Sequence, residues 1–217
     1  QNRQNYAQDL QVSSRGFGAR STFGVRGVRL IQDGIPLTMP DGQGQTALFD
    51  LDGAKNVEVL RGPFTALYGN ASGGVINLVT NDGPSRPTLE ANGFFGTFAS
   101  WRAGMTFGGT TGALNYTGNV SRFETDGFRE HSAARRDLAN LKLGVTIDDD
   151  SKLTLIGNSL EQHNTQDPLG LTQAQLDENP RQAGTNAVLF NTRKSIDHQQ
   201  GGAVYEPNPD AGVTFPT

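Results

Sequence analysis

Ala139-Asn140-Leu141-Lys142-Leu143-Gly144-Val145-Thr146-Ile147 carries an apolar side chain at every second position without a fault. An extended backbone sends successive side chains to opposite faces. One strand therefore bears Ala139, Leu141, Leu143, Val145 and Ile147 on one face and Asn140, Lys142, Gly144 and Thr146 on the other. The same rhythm runs through Leu114, Tyr116, Gly118 and Val120, and through Trp101, Ala103, Met105 and Phe107. Leu89–Phe98 and Leu153–Leu160 are looser versions, and a sixth strand is expected within 191–205. A polar face of Asn, Thr, Arg, Lys and Gly cannot join a second sheet to make a sandwich core. The apolar face needs lipid, or a covering layer that this sequence does not supply. Lipid is the favoured reading; a soluble antiparallel sheet with one packed face is the alternative.

The connectors point the same way. Gly108–Gly112 and Asp148–Ser151 read as tight turns, whereas 124–136 and 161–190 are long and polar. Tight turns on one rim and long loops on the other characterise transmembrane barrels, although the connector after the first strand is short. Composition agrees: Gly is 28 of 217 residues, about twice the usual share of about 7%, and apolar residues are only 35%. No apolar run is long enough for a membrane-crossing helix. The absence of Cys excludes a disulfide scaffold and a Cys-based zinc site, and it fits an oxidising compartment. A net charge of −4 disfavours nucleic acid as a partner.

Gly83-Pro84-Ser85-Arg86-Pro87 marks a boundary. Before it lie short strand-like runs at Leu10–Arg15, Val25–Gln32, Asn56–Leu60 and Gly74–Thr80, separated by Asp33-Gly34, Asp41-Gly42 and Asn81-Asp82. Thr46–Asp52 is expected as a brief helix capped by Thr46, and Pro63 as the opening of a single turn over Phe64–Leu67. The expected fold is thus an α+β unit over 1–83, followed over 84–217 by all-β antiparallel transmembrane strands of an incomplete barrel.

No catalytic chemistry is legible. Gly69-Asn70-Ala71-Ser72-Gly73-Gly74 lacks the Lys of a phosphate loop, and Asn70 occupies the first Gly of a nucleophile elbow. His131, His163 and His198 share no ligand spacing. Asp148-Asp149-Asp150 lacks the alternate-position spacing of a calcium loop. The sequence therefore implies no enzyme, no metal site and no cofactor. Arg15, Arg26, Arg29 and Arg61, with Glu58, lie within or beside the short strands. Their readings are solvated surface or charged contacts with a surrounding wall, and 14 of the 18 basic residues are Arg, which suits bidentate pairing.

Residues 12–80 resemble the plug of TonB-dependent outer-membrane receptors. The resemblance rests on Ser14-Arg15-Gly16-Phe17, on Asp33-Gly34-Ile35-Pro36, and above all on the stretch from Val57-Glu58-Val59-Leu60-Arg61-Gly62-Pro63 through Tyr68-Gly69-Asn70-Ala71-Ser72-Gly73-Gly74 to Thr80. Residues 84–217 look like the opening strands of the family's 22-stranded barrel. On this reading the chain starts inside the plug, the TonB box lies outside it, and about six strands follow. Six strands cannot close, and open edges are intolerable in lipid, so the chain is expected to be a piece of a receptor.

The resemblance implies energy-coupled uptake of a scarce solute across the bacterial outer membrane, most often a ferric siderophore. The implied partners are TonB, an extracellular metal chelate and outer-membrane lipid. It implies that Arg15, Glu58 and Arg61 make ionic contacts between plug and barrel. Apical loops are expected at Gly18–Gly24 and Gly34–Gln45, with Arg20, Phe23, Met39, Asp41, Gln43 and Gln45 facing the ligand. A passive porin or adhesin, or a soluble β-rich binding module, are the alternatives.

Overall fold

The computed structural model describes residues 5–8, 10, 12–19, 21, 24–39, 41–49, 51–62, 68–69, 71–148 and 151–207. Its larger part is a six-stranded antiparallel sheet built of neighbours in chain order: β7 (Thr88–Phe95), β8 (Trp101–Thr111), β9 (Leu114–Thr125), β10 (Ala134–Asp148), β11 (Ser151–Gln166) and β12 (Arg193–Pro207). Inside its curve lies a four-stranded mixed sheet in the order β3-β2-β6-β5. Its members are β2 (Arg29–Gln32), β3 (Ile35–Pro36), β5 (Ala54–Leu60) and β6 (Val75–Thr80), with β2 and β6 parallel. A two-stranded ribbon pairs β1 (Val25–Arg26) with β4 (Gln43–Gly44). No helix among the described residues is long and apolar enough to cross a membrane.

Register settles the faces of the large sheet. Leu114 pairs with Val145, Tyr116 with Leu143 and Gly118 with Leu141; Met105 pairs with Val120 and Phe107 with Gly118; Leu153 and Leu155 continue the set on β11. Trp101, Met105, Phe107, Leu114, Tyr116, Leu141, Leu143 and Val145 therefore share the convex face. Met105, Leu114 and Leu141 are exposed and the other five half-buried, as suits an apolar band whose cover is lipid. The opposite face carries Arg102, Asn119, Asn140, Lys142, Asn158 and Gln162 and meets the mixed sheet.

The strands outrun their alternating stretches. β10 begins at Ala134 and β11 ends at Gln166, because backbone pairing continues where the outward residues become Arg122, Glu124, Arg135 and Asp137. The turn expected at Gly108–Gly112 narrows to 112–113, because β8 goes on pairing to Thr111; it and the Asp148–Ser151 end of the β10–β11 pair lie on one rim, and 96–100, 126–133 and 167–192 lie on the other. The longest contains α1 (Gln173–Glu178), closed by a capping box of Thr172 and Gln175, and α2 (Thr185–Leu189).

Several local expectations fail. Thr46–Asp52 is a 3-10 turn over Thr46–Leu48 only, with Gln45 at its start and no side-chain cap; the chain turns extended at Phe49, where Leu48 and Phe49 pack into the core. Val25–Gln32 breaks at Gly27 (φ +74°). Leu10–Arg15 holds only the Ser14–Phe17 bridge among its described residues, because Arg15 (φ 52°) and Gly16 (φ 87°) turn the chain. The turn expected at 63–67 lies outside the described residues.

Candidate functional site

The two sheets meet through an apolar centre ringed by polar contacts. Val25, Val28, Leu30, Leu37 and Leu48 of the mixed-sheet unit bury against Leu160 of β11, flanked by Leu138 and Ile196. On the far side of the mixed sheet Ile31, Ala71 and Val75 form a second small cluster. Strands this short cannot enclose a core by themselves, so the wall completes the first cluster.

At the tight-turn end, Lys142 projects from β10 into the interface and is only 13% exposed. Its Nζ lies 3.6 Å from Asp33 and 2.9 Å from Asp82, and donates to the Thr80 carbonyl at 3.3 Å. Asp33 also accepts from the Thr80 backbone N–H (2.9 Å) and hydroxyl (2.7 Å). The ammonium thus joins the ends of β2 and β6 and the exit segment after β6 to one point on the wall. Hydrogen bonding from Lys142 holds the Asp82 carboxyl below its ordinary range, against a smaller opposing effect of burial. Gly83 is fastened by Asn115, which accepts from its N–H at 2.9 Å and donates to its carbonyl at 2.8 Å. A Cβ on Gly83 would fall 2.2 Å from the Tyr116 carbonyl, so only glycine permits this approach.

Higher on the wall, Arg102 forms a two-pronged pair with Asp52, one prong at 2.7 Å, and donates to the Ser121 hydroxyl at 3.1 Å. Gln162 donates to the Tyr6 carbonyl at 3.0 Å. At the long-loop end, Asn5 donates to Asp167 at 2.7 Å and Gln8 to its other oxygen. Asp167 roots the 167–192 loop, where Arg129 donates to the carbonyls of Leu169 (2.6 Å), Gln182 (3.0 Å) and Pro168 (3.2 Å). Burial lowers the Arg129 pKa, against a smaller opposing effect of Asp167. The two long loops are one hydrogen-bonded body.

Arg15 and Arg61 line a common cavity of 290 Å³ with Val28, Val59 and Gly73, and both are exposed. Glu58 is exposed on β5 and accepts from Asn56 (3.1 Å) and Asn77 (3.2 Å). The structure thus brings the two arginines together, while Glu58 engages amides of its own sheet. Asp41 accepts from the Gln43 backbone at 3.0 Å, Gln43 accepts from Arg26 at 3.4 Å, Met39 is exposed and Gln45 half-buried. Arg20 and Phe23 lie outside the described residues. The Asp33-Gly34 turn sits beside Lys142 and Val204, at the tight-turn end, so the start of the expected apical loop Gly34–Gln45 lies away from the long loops. Among the described residues no group of His, Asp and Glu could hold a metal ion.

The pairs that join the two sheets, Lys142 with Asp33 and Asp82 and Arg102 with Asp52, are not among the residues singled out from sequence. One signal was present: Lys142 is the only charged residue on the polar face of its alternating stretch.

Residues 1–75 match the family described as TonB-dependent Receptor Plug Domain. These residues belong to that plug family. The chain is 30% identical over 149 residues to the pesticin receptor of Yersinia pestis, covering 64% of this chain and 21% of that protein. It is 28% identical over 152 residues to the ferric enterobactin receptor PirA of Pseudomonas aeruginosa, covering 63% and 19%. The siderophore receptor PirA from Acinetobacter baumannii shares the fold, with a TM-score of 0.63 at 17% identity over 83% of this chain and 30% of that one. The chain thus spans about a fifth of the length of the curated relatives it matches. The mixed sheet is the plug and the antiparallel sheet is barrel wall; the place of such a chain is the outer membrane of a Gram-negative bacterium.

Proposed function

We propose that this chain is the plug and first wall strands of a TonB-dependent transporter that takes up a scarce metal chelate, most simply a ferric siderophore. Residues 1–83 serve as plug and 84–217 as wall. The observation that carries the reading is a small sheet seated on the polar inner face of a membrane wall and fastened there by hydrogen-bonded ion pairs. Such pairs hold a closed plug, yet rehydrate once water enters, which suits a part that must move. A passive porin would gain nothing from this occlusion.

On this reading the 126–133 and 167–192 loops face the cell exterior, and Met39, Asp41, Gln43 and Gln45 lie on the side from which ligand arrives. Arg15 and Arg61, gathered round one cavity, await carboxylates from other parts of the wall. Uptake of radiolabelled ferric chelates by cells expressing the full-length gene, with and without TonB, tests the proposal. Uptake that is equal in the two strains would refute it.

A further inference from the structure

The convex face of the wall is apolar only part of the way up. Near the tight turns it reads Leu114–Val145–Leu153–Tyr205. The apolar set ends at Ala91–Met105–Val120–Ala139–Ser159. Above it come Gly93–Ala103–Arg122–Asp137–Glu161 and then Phe95–Trp101–Glu124–Arg135. Val145 and Arg135 are ten residues apart on β10, about 33 Å at about 3.3 Å per residue. At the usual strand tilt of about 40° this spans about 25 Å, the height of a barrel's lipid band between its aromatic girdles. Tyr205 marks one border, and Phe95 and Trp101 mark the other. The Trp101 rung therefore stands where acyl chains give way to lipid heads.

Two adjoining cavities open on this border and share Trp101 and Arg135. The lower, of 660 Å³, runs over the small or apolar Ala91, Ala103, Met105, Val120 and Ala139, and so continues the lipid face. The upper, of 400 Å³, is lined by Trp101, Glu124, Asp126, His163, Asn164 and Gln166, among others. Asn164 (φ 53°) sits at a break in the β11–β12 register. Among the described residues the side chains of Asp126 and Asn164 make no hydrogen bond or ion pair. Gln166 accepts from the Ala133 backbone at 3.1 Å, which leaves its amide N–H groups to donate.

An occupant of both cavities is apolar at one end and rich in hydrogen-bonding groups at the other. Its head is not read by charge. Arg122 pairs with Asp137 at 2.5 Å, and Arg135 with Asp137 at 3.1 Å and Glu124 at 3.6 Å, so both guanidinium groups are committed to carboxylates. Glu161 adds a further negative charge to the rung. A phosphate here would meet more carboxylates than cations. Hydroxyls suit the upper cavity, since they donate to Glu124 and Asp126 and accept from Asn164 and Gln166. The apolar face of a sugar ring packs on an indole. Resting on the orientation proposed above, with the long loops outside, we propose that these cavities lodge one glycolipid of the outer leaflet. An acyl chain fills the lower cavity and a saccharide head lies on Trp101 in the upper, recognised through its hydroxyls rather than its phosphates.

The test uses the full-length receptor in detergent micelles, native mass spectrometry and three probes: a lipooligosaccharide, the same lipid stripped of its phosphates, and phosphatidylglycerol. The two sugar lipids should bind within about twofold of each other, with or without a chelator of divalent cations, and at least about tenfold more tightly than phosphatidylglycerol. Trp101→Leu should weaken both sugar lipids by about tenfold and leave phosphatidylglycerol within about twofold. Asp126→Ala, at an exposed loop position where folding is not at stake, should act in the same direction. Loss of binding on dephosphorylation or chelation would overturn the inference, because a phosphate–cation bridge would then hold the lipid. Equal binding of all three probes would overturn it, as would variants that change none of them. None of these outcomes touches the uptake reading, which fails separately if uptake proves independent of TonB.

Discussion

Replacing Lys142 by methionine keeps most of the apolar stem and deletes the ammonium. Asp33, 6% exposed, would lose its cation but keep both bonds from Thr80; Asp82, 54% exposed, would be rehydrated. Removing one partner of a buried pair typically costs about 3–5 kcal/mol. The retained Thr80 donors and the exposure of Asp82 place Lys142→Met at the lower end, about 3 kcal/mol, or about two orders of magnitude in the equilibrium for detaching the plug's β2–β6 end. Hydrogen exchange of the full-length receptor in micelles reads this directly. Amides of Leu30–Gln32 and Val75–Thr80 should exchange about a hundredfold faster, while those of β9 to β11 stay protected. Asp82→Asn, which breaks the more exposed arm, should cost about 1 kcal/mol or less. Adding Asp33→Asn to Lys142→Met should restore part of the protection, since no unpaired charge then remains. Unchanged exchange in Lys142→Met would show that the apolar centre around Leu160 alone holds the plug, and would refute the reasoning.

Three further outcomes follow from the same geometry. Because the Asp82 carboxyl is held below its ordinary value, its contribution is fully present above the unfolded pKa near 4 and is lost as pH falls through the lowered folded value; the protection of the Asn81–Gly83 amides, corrected for their intrinsic exchange rates, should be flat from pH 7 to 5 and fall only below about 4. Asp167→Ala frees Asn5 and Gln8 from the loop root, so limited proteolysis of the receptor should reach 5–8 and 168–172 sooner, with the wall unaffected; equal cleavage rates would contradict the tether. Leu141→Arg puts a charge on the lipid face near the middle of the apolar band and should cost about 2–4 kcal/mol in urea unfolding of the refolded receptor, whereas Ala139→Arg, beside the Arg122–Asp137 level, should cost less.

Much of the wall was legible in the residues because side-chain direction in an extended strand is local: a strand cannot alternate apolar and polar residues without sorting them to two faces. Leu141, Leu143 and Val145 therefore announced a lipid face before any pairing was known, and the long run from Val57 to Thr80 announced the plug. Strand ends were less legible, since β10 goes on pairing through Arg135 and Asp137 after the apolar signal stops. The short plug elements misled for the opposite reason. Thr46–Asp52 has helical credentials, yet Phe49 turns extended where it packs beside Leu48, and packing outweighs propensity in so brief a segment. What only the tertiary structure decided is which distant groups meet. Lys142 had to find a partner, but nothing within a strand's reach indicated Asp33 and Asp82, and Arg102 could not name Asp52. Such meetings depend on how a sheet curves round a second sheet, and that is decided by the burial of Leu30, Leu48 and Leu160 together rather than by any stretch of chain alone.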